Sequence, residues 1–514
     1  MLVGAFFWAL AISSRAQTWT AHHLLRYVKH RTGFQGGVGY VWVDYSARKA
    51  TFRDLHVTDL QGRTMFNLPE LTASFNWDSL LGRNTVLDSV HLGRGYVNIV
   101  TNEKLKATNI TQFVDTLQAW IDGPPTHTAQ DTVHESLPPY FRIDQIRLAD
   151  MELIVSNESR DTIRNGIDYN HLHFLSLNGT IHRFRARADT LEFATCHMAT
   201  HDARTGWPIH QIRTGFRFTR HALRLDSLYL AAGHTHIRNR IAFLFEHSED
   251  LSDFNNKVSV KAHLTRTHLD SRDLALFAPE LRRYRDTLHL TDLQVEGRLP
   301  DFTARHFDIR FGKSSRVHGR AAIAGLPEAK PIRLDVRLTG SHIVPGDVAQ
   351  YLPDSASRMY VARMGVNEVN GSFAGVPTNF IVKANVQGDA GQVHVDLAMQ
   401  VGEKESSTYK GRFEAHDFHV GRLAGTSVLG RFSGRGYVDG QGLVLTTARI
   451  RFKTRIDKVE LFRIPIRRVS LRGQLHRHKL LALLASIRAW KSGPFYRPGK
   501  MDKKSDFGLV WEKG

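Results

Sequence analysis

Three His-x-His pairs, His171 with His173, His234 with His236 and His476 with His478, carry the residue type best suited to bind a metal. On a strand such a pair points both imidazoles to one face, as a metal site requires. No acidic or thiol partner stands near them at ligand spacing, and with 28 histidines in 514 residues such pairs are unremarkable. They read as histidines of a polar strand face, and neither a metal nor a cofactor is expected. In Gly430-Arg431-Phe432-Ser433-Gly434 the serine falls one position too late for a nucleophile elbow. Asp270 and Asp273 fall in a predicted helix and read as solvating or capping groups. The glycine-rich pieces Gly36-Gly37-Val38-Gly39 and Gly434-Arg435-Gly436 lack the spacing and the helix of a phosphate-binding loop, so they read as bends or bulges in strands. No catalytic residue emerges, and the chain reads as non-enzymatic.

The elements around these residues are mostly strands. From about Val38 onward apolar residues recur at every second position, which gives each strand one apolar and one wet face. Val258, Val260 and Leu264, then Leu334, Val336 and Leu338, then Phe380 and Val382, then Val393, Val395 and Leu397 mark the clearest runs, and they are the candidate lining of an apolar groove. Leu60-Gln61-Gly62, Asn178-Gly179, Asn370-Gly371 and Asp439-Gly440 read as turns of an antiparallel meander of roughly 30 strands. A sheet that long must close, split or coil. The phrases from Leu87 to Leu92 and from Leu225 to Leu230 look like diverged copies of one unit. Helices are expected over Asn109 to Ile121, with Asn109 as cap, over Leu269 to Tyr284 divided by Pro279, and around Val348 to Leu352.

Composition narrows the setting. The hydrophobic share of 42% supports a packed or lined interior, and a net charge of +19 with pI near 10.0 favours anionic surfaces such as phospholipid headgroups, lipopolysaccharide or nucleic acid. The basic residues are scattered singly, which fits a decorated β surface and not a nucleic-acid arm. Cys196 is the single cysteine, so the chain forms no internal disulfide and no cysteine-based zinc site. The apolar run from Met1 to Ile12 is short of the roughly 20 residues a spanning helix needs and lacks a basic leader. It reads as a truncated signal anchor, with cleavage at Ser14-Arg15-Ala16 as the alternative. Trp8, Trp19, Leu24 and Leu25 are the candidate membrane-interface residues beside it.

The stretch from Ala50 to Val100, with Asp59, Gly62 and Phe66 forming a D-x-x-G-x-x-x-F hairpin, Leu80-Leu81-Gly82 ending a strand and Leu87-Asp88-Ser89-Val90-His91-Leu92 closing the module, resembles the opening of TamB and AsmA-like envelope proteins. The resemblance rests on the order and texture of strands along nearly the whole chain. It implies an all-β fold: a long, curled antiparallel sheet forming an elongated apolar groove, with a few short helices and an N-terminal membrane anchor. The expected divisions are an anchor at 1–17, a first module at 18–122, a mobile connector at 123–139, a β-groove region at 140–480 and an irregular tail at 481–514. The implied role is that of an inner-membrane protein with its bulk in the periplasm, carrying phospholipid acyl chains between membranes. An outer-membrane β-barrel protein is the implied partner, and nucleic acid is not. Two other readings stand beside it: an assembly scaffold that binds nascent outer-membrane strands by augmentation, and a surface adhesin or glycan-binding solenoid.

Overall fold

The computed structural model describes residues 13–76, 85–101, 108–122, 140–168, 170–187, 190–326, 332–352, 355–402, 406–442, 448–476, 479–487 and 508–511. The chain divides into two compact units, Met1–Arg285 and Asp286–Gly514. Both are built mainly of β strands.

Unit 1 opens with helix α1 (Ser14–Thr32), then β1 (Gln35–Gly37), β2 (Tyr40–Asp44), β3 (Lys49–Thr58), β4 (Thr64–Phe75), β5 (Thr85–Gly93) and β6 (Tyr96–Thr101). Helix α2 (Asn109–Asp122) follows, then β7 (Tyr140–Asn157), β8 (His171–Arg187), β9 (Thr190–Asp202), β10 (Pro208–Thr219), β11 (Ala222–Ala232), β12 (Thr235–Leu244) and β13 (Ser259–Asp270). From β7 to β13 each strand pairs antiparallel with the next. The expectation of a purely antiparallel sheet fails at the start of that run. Strand β7 lies parallel to both β5 and β6, which follow one another along its length. Parallel neighbours need a crossover of a dozen or more residues, and the segment containing α2 supplies it. The sheet of unit 1 is therefore mixed.

Unit 2 contains β14 (Thr287–Arg298), β15 (Asp301–Phe311), β16 (Ser315–Ala324), β17 (Arg333–Ile343), helix α3 (Ser355–Met364), β18 (Asn367–Val376), β19 (Asn379–Gly388), β20 (Gly391–Gln400), β21 (Thr408–His419) and β22 (Leu429–Gln441). It ends in β23 (Arg449–Leu461), β24 (Ile464–His476), β25 (Lys479–Ile487) and β26 (Gly508–Trp511). All its consecutive strands pair antiparallel. Residues 479–487 thus continue the sheet, which corrects the irregular tail expected from position 481.

Three of the four expected turns are not turns. Only Leu60-Gln61-Gly62 bends the chain, with buried Asp59 accepting from the backbone N–H groups of Gln61 and Arg63 at 3.0 and 2.9 Å. Asn178-Gly179 lies within β8 at a register shift, Asn370-Gly371 within β18, and Asp439-Gly440 within β22. Glycine serves there because a neighbouring strand comes too close for a side chain: a Cβ at Gly371 would stand 2.5 Å from the Lys383 carbonyl oxygen.

Helix α2 forms where expected, but its cap is Thr108, whose Oγ1 accepts from the Thr111 N–H at 3.0 Å. Asn109, 1% exposed, instead ties the helix to β6. Its side chain donates to the Asn98 carbonyl and accepts from the Val100 N–H, each at 3.0 Å. The expected helix from Leu269 is reduced to two single turns, Ser271–Leu274 and Pro279–Arg283, because β13 runs on to Asp270. The short helical segment around Val348 to Leu352 is present as Pro345–Val348 and Ala349–Tyr351.

A repeated device controls the strands in both units. Register shifts mark β-bulges between successive pairs, from β7–β8 through β12–β13 and again from β14–β15 through β17–β18. At such shifts one N–H loses its ladder partner, and a hydroxyl on the adjacent strand takes it. Thr195 accepts from Thr214, Thr267 from Arg238, and Ser341 from His318, each at 3.0 Å, and Ser433 accepts from Asp417 at 2.9 Å. Thr267 and Ser341 are wholly buried, so their hydroxyls serve the backbone and not solvent.

Candidate functional site

Register turns the alternating runs of unit 2 into rows that cross the sheet. Val336 faces Phe373, which faces Val382, which faces Leu397; the row passes Gly411 and continues through Val438 to Phe452. On one side lies the row of Leu334, Gly375, Phe380, Met399, Tyr409, Gly440 and Ile450, and on the other that of Leu338, Gly371, Ala384, Val395, Phe413 and Gly436. A fourth contains Val369, Val386, Val393 and Ala415. Leu334, Val336, Leu338, Phe380, Val382, Val393, Val395 and Leu397 are all half-buried, whereas Arg333, Asp335, Arg337, Ile381 and Lys383 on the reverse side are exposed. The apolar face is the more enclosed of the two.

Strands about 4.8 Å apart and rows about 6.8 Å apart make this apolar field roughly 30 Å by 20 Å, its fourth row edged by a closed cluster in which Met364 of α3 and Val393 pack against Ala390, Ala415 and Phe418. Its relief is low for a specific reason. Tyr409, Phe413 and Phe380 stand directly opposite Gly440, Gly436 and Gly375. A Cβ at Gly440 would lie 2.4 Å from the Tyr409 ring and one at Gly436 3.0 Å from the Phe413 ring, so the aromatics occupy the space the glycines leave. Burial, with a smaller contribution from Tyr360, pushes the Tyr409 phenol above its ordinary pKa.

Unit 1 carries further apolar rows, of which the sequence analysis marked only the end on β13, and they begin in the buried cluster of Ala73, Val90, Ile143 and Ile146. Ile143 faces Phe184, and beyond it Phe193, Phe216, Leu225, Ile241 and Ala262 continue the row. Phe184 stacks on Phe193 at 6.2 Å and Phe193 on Phe216 at 4.4 Å between ring centroids. Val260 joins the adjacent row with Phe218, Leu223 and Phe243. The other two candidates on this segment are buried: Val258 is 1% exposed and Leu264, like Ala262, 9%. The missed phenylalanines had a signal, since each sits at an alternating position of its strand.

Of the candidate membrane-interface residues, Trp19, Leu24 and Leu25 lie on α1, and Trp8 lies outside the described residues. Gln17 and Thr18 fix the helix to β2 through hydrogen bonds with the backbone of Val43 and Val41. Leu25 is half-buried, whereas Trp19 is 63% exposed, Leu24 58% and Tyr27 49%. The helix contains Arg15, Arg26, Lys29 and Arg31 and no acidic residue. No helix among the described residues is long and apolar enough to cross a membrane, so the expected anchor is not seen there.

The histidine pairs find separate partners. His171 Nδ1 lies 3.2 Å from Asp168, and His173 Nε2 lies 3.1 Å from Glu152 on β7. His236 meets His268 edge-on at 6.2 Å, and His478 lies outside the described residues. Among the described residues no three histidine, cysteine or acidic side chains gather around a point where an ion would fit. Ser433 Oγ accepts from the Asp417 N–H at a bulge, Asp270 takes up the Arg272 guanidinium, and Asp273 accepts from the Trp207 indole at 3.1 Å. Each of these groups is thereby committed to the fold. No protein-family model, curated protein or solved structure matches this chain.

Proposed function

We propose that this protein carries phospholipid on the apolar faces of its sheets, as a cell-envelope protein tethered to the inner membrane with its bulk in the periplasm. The observation that carries the reading is the set of contiguous, half-buried apolar rows from β17 to β23. Half of a roughly 30 Å bilayer core is about 15 Å, so one acyl chain fits within the field. Ten methylenes gain about 8 kcal/mol relative to water where the curled face encloses them fully, comparable to what a membrane offers them, and about half of that against a flat face. Near-equality of that kind suits exchange better than storage. Bulges at β17–β18, β21–β22 and β22–β23 add twist and bend at the two ends of this field and favour curling there, while β18 to β21 pair in unbroken register. Acyl chains need no directional contacts, which fits a lining of interchangeable Leu, Val, Ile and Phe.

Helix α1 provides the membrane contact in this reading. Exposed Trp19 and Leu24 enter the headgroup boundary while the basic side chains meet anionic lipid. Trp19→Ala with Leu24→Ala is expected to weaken binding to vesicles containing anionic phospholipid at least tenfold in a flotation assay, with the circular dichroism of the sheet unchanged.

The direct test of the role is transfer of a fluorescent phospholipid from donor to acceptor liposomes. The protein is expected to accelerate transfer in proportion to its concentration. A folded protein that leaves the spontaneous rate unchanged contradicts the role, and retention of unfolded outer-membrane strands by that protein would favour the scaffold instead.

A further inference from the structure

The wet face of unit 2 carries a second feature that does not depend on what the apolar face holds. Register lays His394, Glu414, Arg435, Arg455 and Ser470 in one row across β20 to β24, and Asp396, Arg412, Tyr437, Lys453 and Arg472 in the next. An open groove of about 740 Å³ runs between the rows, across the strands, over the backbone of Phe413, Gly436, Thr454 and Leu471.

The charges in this groove are unbalanced. Its five cations outnumber its two carboxylates, Asp396, which pairs with Lys383 at 3.3 Å, and Glu414, which stands opposite Arg435 and lies 3.5 Å from the His416 imidazole. Arg412, Arg435, Lys453, Arg455 and Arg472 are exposed and form no ion pair among the described residues. Arg435 stands directly opposite Arg455, and Lys453 directly opposite Arg472. Like charges facing each other across strands destabilise a sheet, and an anion placed between them reverses the sign of that term.

We propose that this transverse groove binds a linear acidic glycan, with its anionic groups held by Arg412, Arg435, Lys453, Arg455 and Arg472. Cations recur at strand spacing, about 4.8 Å, so a polymer with regularly repeated charges engages several at once, whereas a single anion engages two. The recessed floor between walls of long side chains admits a chain and not a flat membrane. A nucleic-acid strand would require successive stacking platforms, and of the two aromatic residues along the groove, Phe413 belongs to the apolar row of Val395 and Gly436, which leaves Tyr437.

The test is binding of the full-length protein in mild detergent to immobilised heparin over a series of salt concentrations. Wild type is retained, and the combined variant Arg435→Ser, Lys453→Ser, Arg455→Ser, Arg472→Ser binds at least tenfold more weakly with a shallower salt dependence. Arg320→Ser with Arg337→Ser removes another facing like-charge pair, on β16 and β17, away from the groove, and leaves binding within twofold. Because all six side chains are exposed, the variants keep the wild-type far-ultraviolet spectrum. Three results would overturn the proposal: no retention of wild type, equal loss in the control variant, or tighter binding of an oligothymidylate of the same charge than of a heparin oligosaccharide.

Discussion

Val395→Asp combined with Leu397→Asp is expected to lower the phospholipid that co-purifies with the protein at least tenfold, measured by solvent extraction and mass spectrometry. These residues occupy the middle of two adjacent apolar rows, Val395 between Ala384 and Phe413, Leu397 between Val382 and Gly411. A carboxylate placed there has only apolar or glycine neighbours in its row and must either stay hydrated, which keeps water in the row, or lose its hydration. An acyl chain cannot cross such a point without exposing methylenes, at about 0.8 kcal/mol each. Ile381→Asp provides the control. It lies on β19 but on the reverse face, 49% exposed, and is expected to keep lipid within twofold of wild type. Equal losses from both substitutions would point to general unfolding and not to the apolar face.

The second large effect concerns stability. Asp347, 6% exposed, follows β17 and accepts hydrogen bonds from the backbone N–H groups of Lys313, Ser314 and Ser315 at 2.8, 3.1 and 2.9 Å. It therefore closes the turn between β15 and β16 from a position more than thirty residues away in sequence. Asp347→Ala leaves three backbone donors without this partner and is expected to cost about 3 kcal/mol, read as a lower urea midpoint of unit 2. Burial pushes this carboxyl up, but the donated hydrogen bonds outweigh it, and its pKa lies below the ordinary value of 3.8. The unfolded chain then binds more protons than the folded one between the two pKa values, so stability rises with pH there. The contribution is complete above the unfolded pKa and is lost as pH falls through the folded one. Asp308, held low by the Arg316 guanidinium at 2.7 and 2.5 Å, adds to the same acid-side loss. Asp347→Ala should accordingly flatten the decline of stability below about pH 4.

The alternation of period two was legible because it is local: Leu334, Val336 and Leu338 share a face whatever their neighbours do. What the neighbours are is decided by register, which no single run contains. The glycines show the consequence. Asn370-Gly371 and Asp439-Gly440 have the composition of hairpin turns, yet both lie inside strands, one under a close backbone and the other under the Tyr409 ring. The pairing of β7 with β5 and β6 was hidden for the same reason, since parallel and antiparallel strands carry similar residues. The basic residues of unit 2 are scattered along the sequence, and that spacing reads as a solvated surface. Register brings Arg412, Lys453 and Arg472 into one row, and only then does an anion-binding groove become visible. The serine and threonine hydroxyls at the bulges were likewise illegible, because each serves an N–H on another strand.

Native mass spectrometry of the full-length protein, purified in mild detergent and then exchanged out of it, tests lipid carriage most directly. The lipid-carrying role predicts protein peaks bearing phospholipid mass, with the same lipid recovered by solvent extraction and replenished from liposomes. A folded β protein that stays free of lipid, even after incubation with liposomes, would contradict it.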